Sequence, residues 1–576
     1  MSPSPSNLQD RNPVAAPSHP RAMPAFLIIS TALVAIGVLV LRGNSCGHDF
    51  DFHLLSWMEV ARAWHAGLVY PHWVQDANYG AGEPRLIFYP PASWLLGGLL
   101  GTITGWHAAP VLFVLLALLA GGASMYQLAR EWAPASSATF AACLYIASPY
   151  TMFVAYERTA YGELLAAAWL PLLVLFALRP RSSLAPLGLS IAALWLTNSP
   201  AAVVGSYLLA LLAVAMWIAE GKPWPALRAA GGMALGLGLA AFYIVPAAFE
   251  QRWVQIDRAI IPGMRVQDSF LFAHTADAFH DQVLHTASWI LIVELVAAVV
   301  AAYLAWKRKA GGRARMVLTA MLPLILLLQL PASGVLWKYA PHMKFLQFPW
   351  RWVMALSVAA CVLSSMALTG MSSARWRQIS AAGLIIVLTI GGAFLFYQPC
   401  DDEDAVSPQV AAFHSGQGIE GTDEYTPLGA DNAAVQQHLP LVRFFRAAQD
   451  DTADNTAVDN PEWRPGAAGS LPAGMDAKRI HGEHWMVRIV TSEPGFALLR
   501  LMDYPSWKVT VDGTPTPSRP TREDGLMAVP VRAGDHAIEV QWAATTDVIV
   551  GREVSAVALL VLAAVVALER KGRRRV

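Results

Sequence analysis

The sequence predicts a mostly α-helical, polytopic membrane protein: a helical bundle of about twelve spans, followed by an extracytoplasmic β-sandwich-like domain. Three observations predict it. Of 576 residues, 55% are hydrophobic and only 14% charged, where a soluble chain carries about 25% charged residues. Apolar runs recur from end to end, many near the roughly 20 residues a helix needs to cross a bilayer. Charge is also segregated. Residues 398–550 hold 23 of the 41 acidic residues and 11 of the 41 basic ones, so the zero net charge averages two opposite populations.

Residues 1–23 are polar and rich in Pro and Ser, and are expected to be a disordered cytoplasmic N-terminus. The apolar run that follows has no small-residue cleavage site, so it reads as a retained anchor rather than a signal peptide. Candidate spans are 24–41, 108–128, 136–150, 164–178, 184–198, 202–219, 228–248, 286–306, 316–333, 350–370, 379–397 and 551–569. Lys and Arg in short loops mark the cytoplasmic side. Twelve spans put "RPR" (179–181), "GKPWPALR" (221–228), "KRKAGGRAR" (307–315), "RWR" (375–377) and the tail "RKGRRR" all on that side. The run 92–104 is too short and glycine-rich to cross, and reads as an interfacial or half-inserted helix. The outer face then receives 42–107, 151–163, 249–285, 334–349 and 398–550. The core is therefore 24–397, the outer segment 398–550, and the last helix with its basic tail 551–576.

Loop 42–107 is much longer than a connector and dense in Trp, Tyr, Phe and Pro, which suits a folded patch at the bilayer surface. It opens with "GHDFDFHLLSW" (47–57). Asp49 and Asp51 either cap the amphipathic helix that follows or act as functional carboxylates at the membrane surface. In "YERTAYGE", Glu157, Arg158 and Glu163 are either solvated and snorkelling groups or a second acid with a phosphate contact. Lys338, His342, Lys344 and Arg351 lie in "WKYAPHMKFLQFPWRW" (337–352), on the outer side against the positive-inside preference. A lipid phosphate would account for them, as would interfacial anchoring. Arg252 repeats the idea more weakly. "HTADAFHDQVLH" brings together His274, Asp277, His280, Asp281 and His285, but its histidines stand six and five apart, not at the i, i+4 of a helical metal pair, so no metal is expected there. Cys143 and Cys361 fall in apolar runs; Cys46 and Cys400 each follow a span on one side and are either disulfide-bonded or free.

Residues 400–475 are acidic and without clear periodicity, and are expected to be irregular. From about 480 to 545, alternation and turn signals such as "DG" predict six or seven short strands. Such a domain would grip an acceptor or simply cap the core. No Walker motif, GxSxG, CxxC pair or dinucleotide fingerprint is present, and no nucleic-acid partner is expected.

A first span, an acidic pair, "YPHW", "GAGEP", "FYPP" and a half-length apolar helix resemble the first outer loop of GT-C membrane glycosyltransferases. Together with "SPYTMFVAYERTAYGELLA" (148–166), "FLQFPWRW" (345–352), "EYTP" (424–427) and "YPSWKVTVDG" (504–513), the chain is similar to a bacterial family described as "6-pyruvoyl-tetrahydropterin synthase-related" (YfhO-like) membrane proteins, a label that does not itself imply pterin chemistry. The resemblance implies a multi-pass protein of the bacterial inner membrane, working at the periplasmic face on membrane lipids. It implies transfer of a sugar from a polyprenyl-phosphate donor to an envelope glycan, lipid or protein acceptor. The matching positions make Asp49 the general base and Asp51 its partner or a ligand for Mg²⁺ or Mn²⁺; the residues of the second outer loop, not the resemblance, add Glu157 and Glu163 as expected further acids. His53, Arg85, Tyr89, Arg158, His342, Lys344, Gln347 and Arg351 are the expected lipid-phosphate and substrate contacts. The alternative is a non-catalytic scaffold, a lipid or polysaccharide transporter, or an assembly factor. Glu294 and Gln329 are the only polar residues clearly inside spans, fewer than a transporter would carry.

Overall fold

Among the described residues, nine helices are long and apolar enough to cross a membrane. Two further helix pairs reach that length only together, each as a broken span or a re-entrant loop: Trp224–Leu239 with Ala241–Trp253, bent by 76°, and Gly312–Leu328 with Pro331–Tyr339, bent by 93°. The second break has a local cause. Pro331 disfavours the helical region for its predecessor, and Leu330 is extended at φ −104°, ψ 147°. With the short apolar helix Leu184–Thr197, these elements cover each of the twelve predicted runs. That helix has 14 residues, a rise of about 21 Å.

The computed structural model describes residues 22–179, 183–371, 375–446 and 474–573. The predicted disordered N-terminus as far as residue 21, residues 447–473 of the acidic stretch and the last three residues of the tail lie outside them.

Residues 92–104 fall in a 14-residue helix, Pro91–Thr104, which is not among the membrane-length helices. Its glycines have a packing purpose. A Cβ at Gly97 would come within 2.0 Å of Trp57, and one at Gly101 within 1.8 Å of Trp106. The run that resembles a weak span is thus a groove for two tryptophans, and it holds helix Phe50–His65 against the bundle.

Eight strands follow: β1 (Val442–Arg446), β2 (Met475–His481), β3 (His484–Thr491), β4 (Gly495–Met502), β5 (Trp507–Val511), β6 (Thr514–Pro515), β7 (Leu526–Val531) and β8 (Gly534–Trp542). They form two antiparallel sheets, ordered β1-β4-β7 and β2-β3-β8-β5-β6. Alternation in β3 buries Trp485, Val487 and Ile489. The stretch expected to be irregular is not wholly so: it contributes helix Val406–Ser415 and strand β1, whose Val442 pairs with Leu499. The core between the sheets is completed from loop 42–107, by Trp73, Ala81, Ile87 and Phe88. Met502 N–H donates to Ala81 O at 2.8 Å, and the Trp73 and Trp507 rings meet edge to face at 5.0 Å.

Glu294 and Gln329 are structural. Glu294 accepts from Tyr150 N–H and Ser357 Oγ–H, and Gln329 donates to the carbonyls of Ile325 and Pro349.

Candidate active site

The acidic pair is positioned by backbone. His48 N–H donates to Glu157 O at 3.2 Å and Asp49 N–H to Arg158 O at 3.0 Å. Only glycine fits at 47, where a Cβ would lie 2.1 Å from Glu157 O. One residue earlier, Cys46 is disulfide-bonded to Cys400. The first loop is therefore sewn to both the second loop and the start of the 398–550 segment.

Asp49 holds the N-cap position of helix Phe50–His65 but makes no capping hydrogen bond. Its Oδ2 lies 3.5 Å from Arg158 Nη2, and its side chain is 38% exposed. Asp51 is exposed, and its Oδ1 accepts from Phe52 N–H. Two positions apart at a helix start, the carboxylates lie on different faces. Among the described residues no third His, Cys, Asp or Glu joins them in a metal-sized cluster. A pair without a third ligand, one member of it beside a guanidinium, is a poor donor set for Mg²⁺ or Mn²⁺.

Behind Asp49 lies a buried ionic array. Arg158 Nη1 donates to Glu163 Oε2 at 3.1 Å, and Arg351 Nε lies 3.6 Å from the same oxygen. Tyr150 O–H donates to Glu163 Oε1 at 2.5 Å. Arg351 Nη1 donates to Leu346 O, while its Nε has no hydrogen-bond partner. Trp350 lies 4.8 Å under the Arg158 guanidinium. Glu163 is thereby taken up by partners; it holds two arginines and is not a free base.

Arg351 opens onto a cavity of about 740 Å³. Tyr89, His342 and Gln347 share its wall, with Asn198, Tyr243 and Glu424, while Val203, Ile244, Ile261 and Met264 supply an apolar side. Neither Asp49 nor Asp51 is on that wall. Tyr89 stands between: its ring is 5.1 Å from Phe52 and 5.7 Å from His53. Burial pushes its phenol up, and the charges of Asp49 and Arg351 both reach it.

Other predicted residues have different roles. His53 is enclosed by Phe52, Trp57, Tyr89 and Tyr161; burial lowers its pKa to about 4, so it is neutral and offers phosphate no charge. Arg85 is buried, with Nε on Glu83 at 2.6 Å and Nη2 on Thr422 Oγ1 at 2.8 Å, which pins loop 42–107 to the later segment. Lys344 is exposed beside Asp257 at 3.5 Å and does not line the cavity. Glu157 is buried, and burial raises its carboxyl to about 7, opposed by Arg158.

Glu424 was not singled out from the sequence as a site residue, although it opens the quoted "EYTP". It lines the cavity, and burial lifts its pKa to about 6. A second surprise lies in the stretch where no metal was expected. Ligand atoms of His274, Asp281 and His285 all lie within 4.8 Å of one another. The spacing signal was Asp281–His285, an i, i+4 pair on one helix face, hidden when only histidines are counted.

Membrane-length helices, a folded loop laid on them and a cavity that pairs an arginine with apolar walls define a polytopic membrane protein with a polar site at the end of its bundle. The chain belongs to the 6-pyruvoyl-tetrahydropterin synthase related domain family of membrane proteins, whose model matches residues 86–398. A comparison with curated proteins finds no match. Among solved structures, the chain is similar to the arabinofuranosyltransferase AftD from Mycobacteria at 17% identity and TM-score 0.43, over 66% of this chain and 27% of that one. It thus spans about a quarter of AftD's length. It is also similar to ArnT from Cupriavidus metallidurans, solved bound to undecaprenyl phosphate (12% identity, TM-score 0.30, 72% and 92% covered). A third is the arabinosyltransferase EmbB from Mycobacterium smegmatis (14% identity, TM-score 0.32, 93% and 64% covered).

Proposed function

We propose that the protein is a GT-C-type glycosyltransferase of the bacterial inner membrane, moving a sugar from a polyprenyl-phosphate donor to a cell-envelope acceptor at the extracytoplasmic face. The observation that carries this reading is Arg351, a buried cation on the wall of a largely apolar cavity, whose Nε has an ion-pair contact with Glu163 but no hydrogen bond. It is joined through Glu163 and Arg158 to the accessible carboxylate of Asp49. An arginine beside an apolar trough is the chemistry a prenyl phosphate needs. The Cys46–Cys400 disulfide supports the extracytoplasmic placement of both segments it joins, since the cytosol keeps thiols reduced.

In the reaction, the acceptor hydroxyl oxygen bonds to the anomeric carbon as the bond from that carbon to the phosphate oxygen breaks. The hydroxyl proton passes to Asp49, and the polyprenyl phosphate leaves with the bonding electron pair. Arg351, backed by Arg158, stabilises the charge that develops on the phosphate. Asp49 suits the base role among the four predicted acids because it is accessible and beside the cationic pair.

One observation favours a second reading, a non-catalytic lipid or polysaccharide carrier on the same scaffold: Asp49 is off the cavity wall. Mass spectrometry of envelope glycolipids from cells with and without the gene tests the proposal. A glycolipid that loses one sugar on deletion supports transfer; an unchanged sugar inventory with altered distribution between leaflets supports the carrier.

A further inference from the structure

Helix Ala278–Lys307 begins at Asp277, whose side chain accepts from His280 N–H. Four residues apart, Asp281 and His285 share one face of its first turns. His274, from the turn before the helix, approaches the same face: its Nδ1 is 3.3 Å from Asp281 Oδ2, and its ring centroid is 4.6 Å from that of His285. We infer that His274, Asp281 and His285 bind a divalent first-row transition cation, Zn²⁺ in the first instance.

Four observations carry this beyond a surface ion pair. First, one ligand atom from each residue falls within a 4.8 Å triangle, where tetrahedral zinc needs ligand atoms about 3.3 Å apart. Second, Asp281 is already oriented, because Thr275 N–H donates to its Oδ1 at 2.9 Å and leaves Oδ2 turned toward His274. Third, His285 Nε2 is enclosed without a hydrogen-bond partner, an arrangement that costs free energy unless something accepts its lone pair or receives its proton. Fourth, two imidazoles and one carboxylate are a borderline donor set, matched to Zn²⁺ and Co²⁺ and ill matched to Mg²⁺ or Ca²⁺, which prefer oxygen shells. Three protein ligands leave a fourth position for water.

The site is separate from the proposed sugar chemistry. Residues on the same turns of the helix face the other way: the Phe279 ring lies tilted against His48 at 4.5 Å, and His280 against Phe348 at 5.1 Å. A bound ion would tie the 271–277 turn to the helix that braces His48 at the start of loop 42–107.

The test uses tag-free, full-length protein in detergent, stripped with chelator and titrated with Co²⁺. One equivalent should give the intense visible bands of tetrahedral cobalt, bleached by Zn²⁺ and unaffected by excess Mg²⁺. D281N and H285Q should each abolish the bands, and H274N should weaken binding at least ~10-fold. Absence of the bands in stripped wild type overturns the inference, as does their persistence in a monodisperse D281N/H285Q protein. Should the helix variants fail to fold, H274N decides alone, because His274 is largely exposed; unchanged affinity there also overturns it. Loss of the glycolipid phenotype has no bearing on this readout, so the two proposals fail separately.

Discussion

Arg351 Nε stands 3.6 Å from Glu163 Oε2, the second guanidinium on a carboxylate oxygen that already receives Arg158 at 3.1 Å. One buried anion thus sits between two buried cations, and Asp49 supplies the balancing charge from the accessible side. Glu163→Gln would leave the two arginines facing each other with only Asp49 to offset them. Removing one partner from such an array costs about 3–5 kcal/mol. The variant should show a clearly lower thermal midpoint in detergent; an unchanged midpoint would mean that the array is not holding the spans together.

Asp49 makes no capping bond and is partly exposed, so Asp49→Asn removes a screened charge and should lower the melting midpoint only slightly, well short of the Glu163→Gln effect. Losing a general base removes roughly 10²–10⁴-fold in rate. The measurement is single-turnover sugar transfer with purified protein and lipid donor. Full activity would eliminate Asp49 as the base and direct attention to Glu424, the carboxylate on the cavity wall.

Arg351→Ala should weaken binding of undecaprenyl phosphate in nanodiscs by about 10–100-fold, the worth of one charge-assisted hydrogen bond. Lys344→Ala should change it little, because Lys344 is exposed and off the cavity. Equal effects from the two would return both residues to general attraction for anionic lipid.

Burial raises Glu157 from 4.5 to about 7. The folded state then holds a proton that the unfolded state releases, so this group's contribution is fully present below pH 4.5 and is lost as pH rises through 7. Glu157→Gln should flatten that fall and be the more stable protein at pH 8, by at most about 3 kcal/mol. Parallel stability profiles for wild type and variant from pH 5 to 8 would contradict the assignment.

Of the four cysteines, Cys46 and Cys400 are bonded and Cys143 and Cys361 are free and buried. Denatured protein should therefore take two maleimides per chain without reductant and four with it, read by intact mass. Four without reductant would remove the bond and the support it lends to an extracytoplasmic loop.

Spans were legible because hydropathy is local: a run of about 20 apolar residues must become a helix wherever it lies. Pro331 even marks one bend. Partners are not local. Arg85 and Lys344 look alike as loop cations, yet one is enclosed by Glu83, Ser56 and Thr422 and the other projects into the open. Glu424 reaches the cavity only because its segment folds back over a loop that precedes it by more than three hundred residues. Strand β1 escaped notice because five residues beside an acidic stretch carry little signal without knowledge of β4.

The shared interior of the β-sandwich and the early loop has a consequence for biosynthesis. Trp73 and Ala81 leave the ribosome long before β4 and β5, whose side chains cover them. Until then that loop keeps its tryptophan uncovered, and the later-made strands finish what the first-made loop began. Chains truncated before residue 474 should therefore insert their helices and yet carry an unfinished 42–107 loop that proteases reach first.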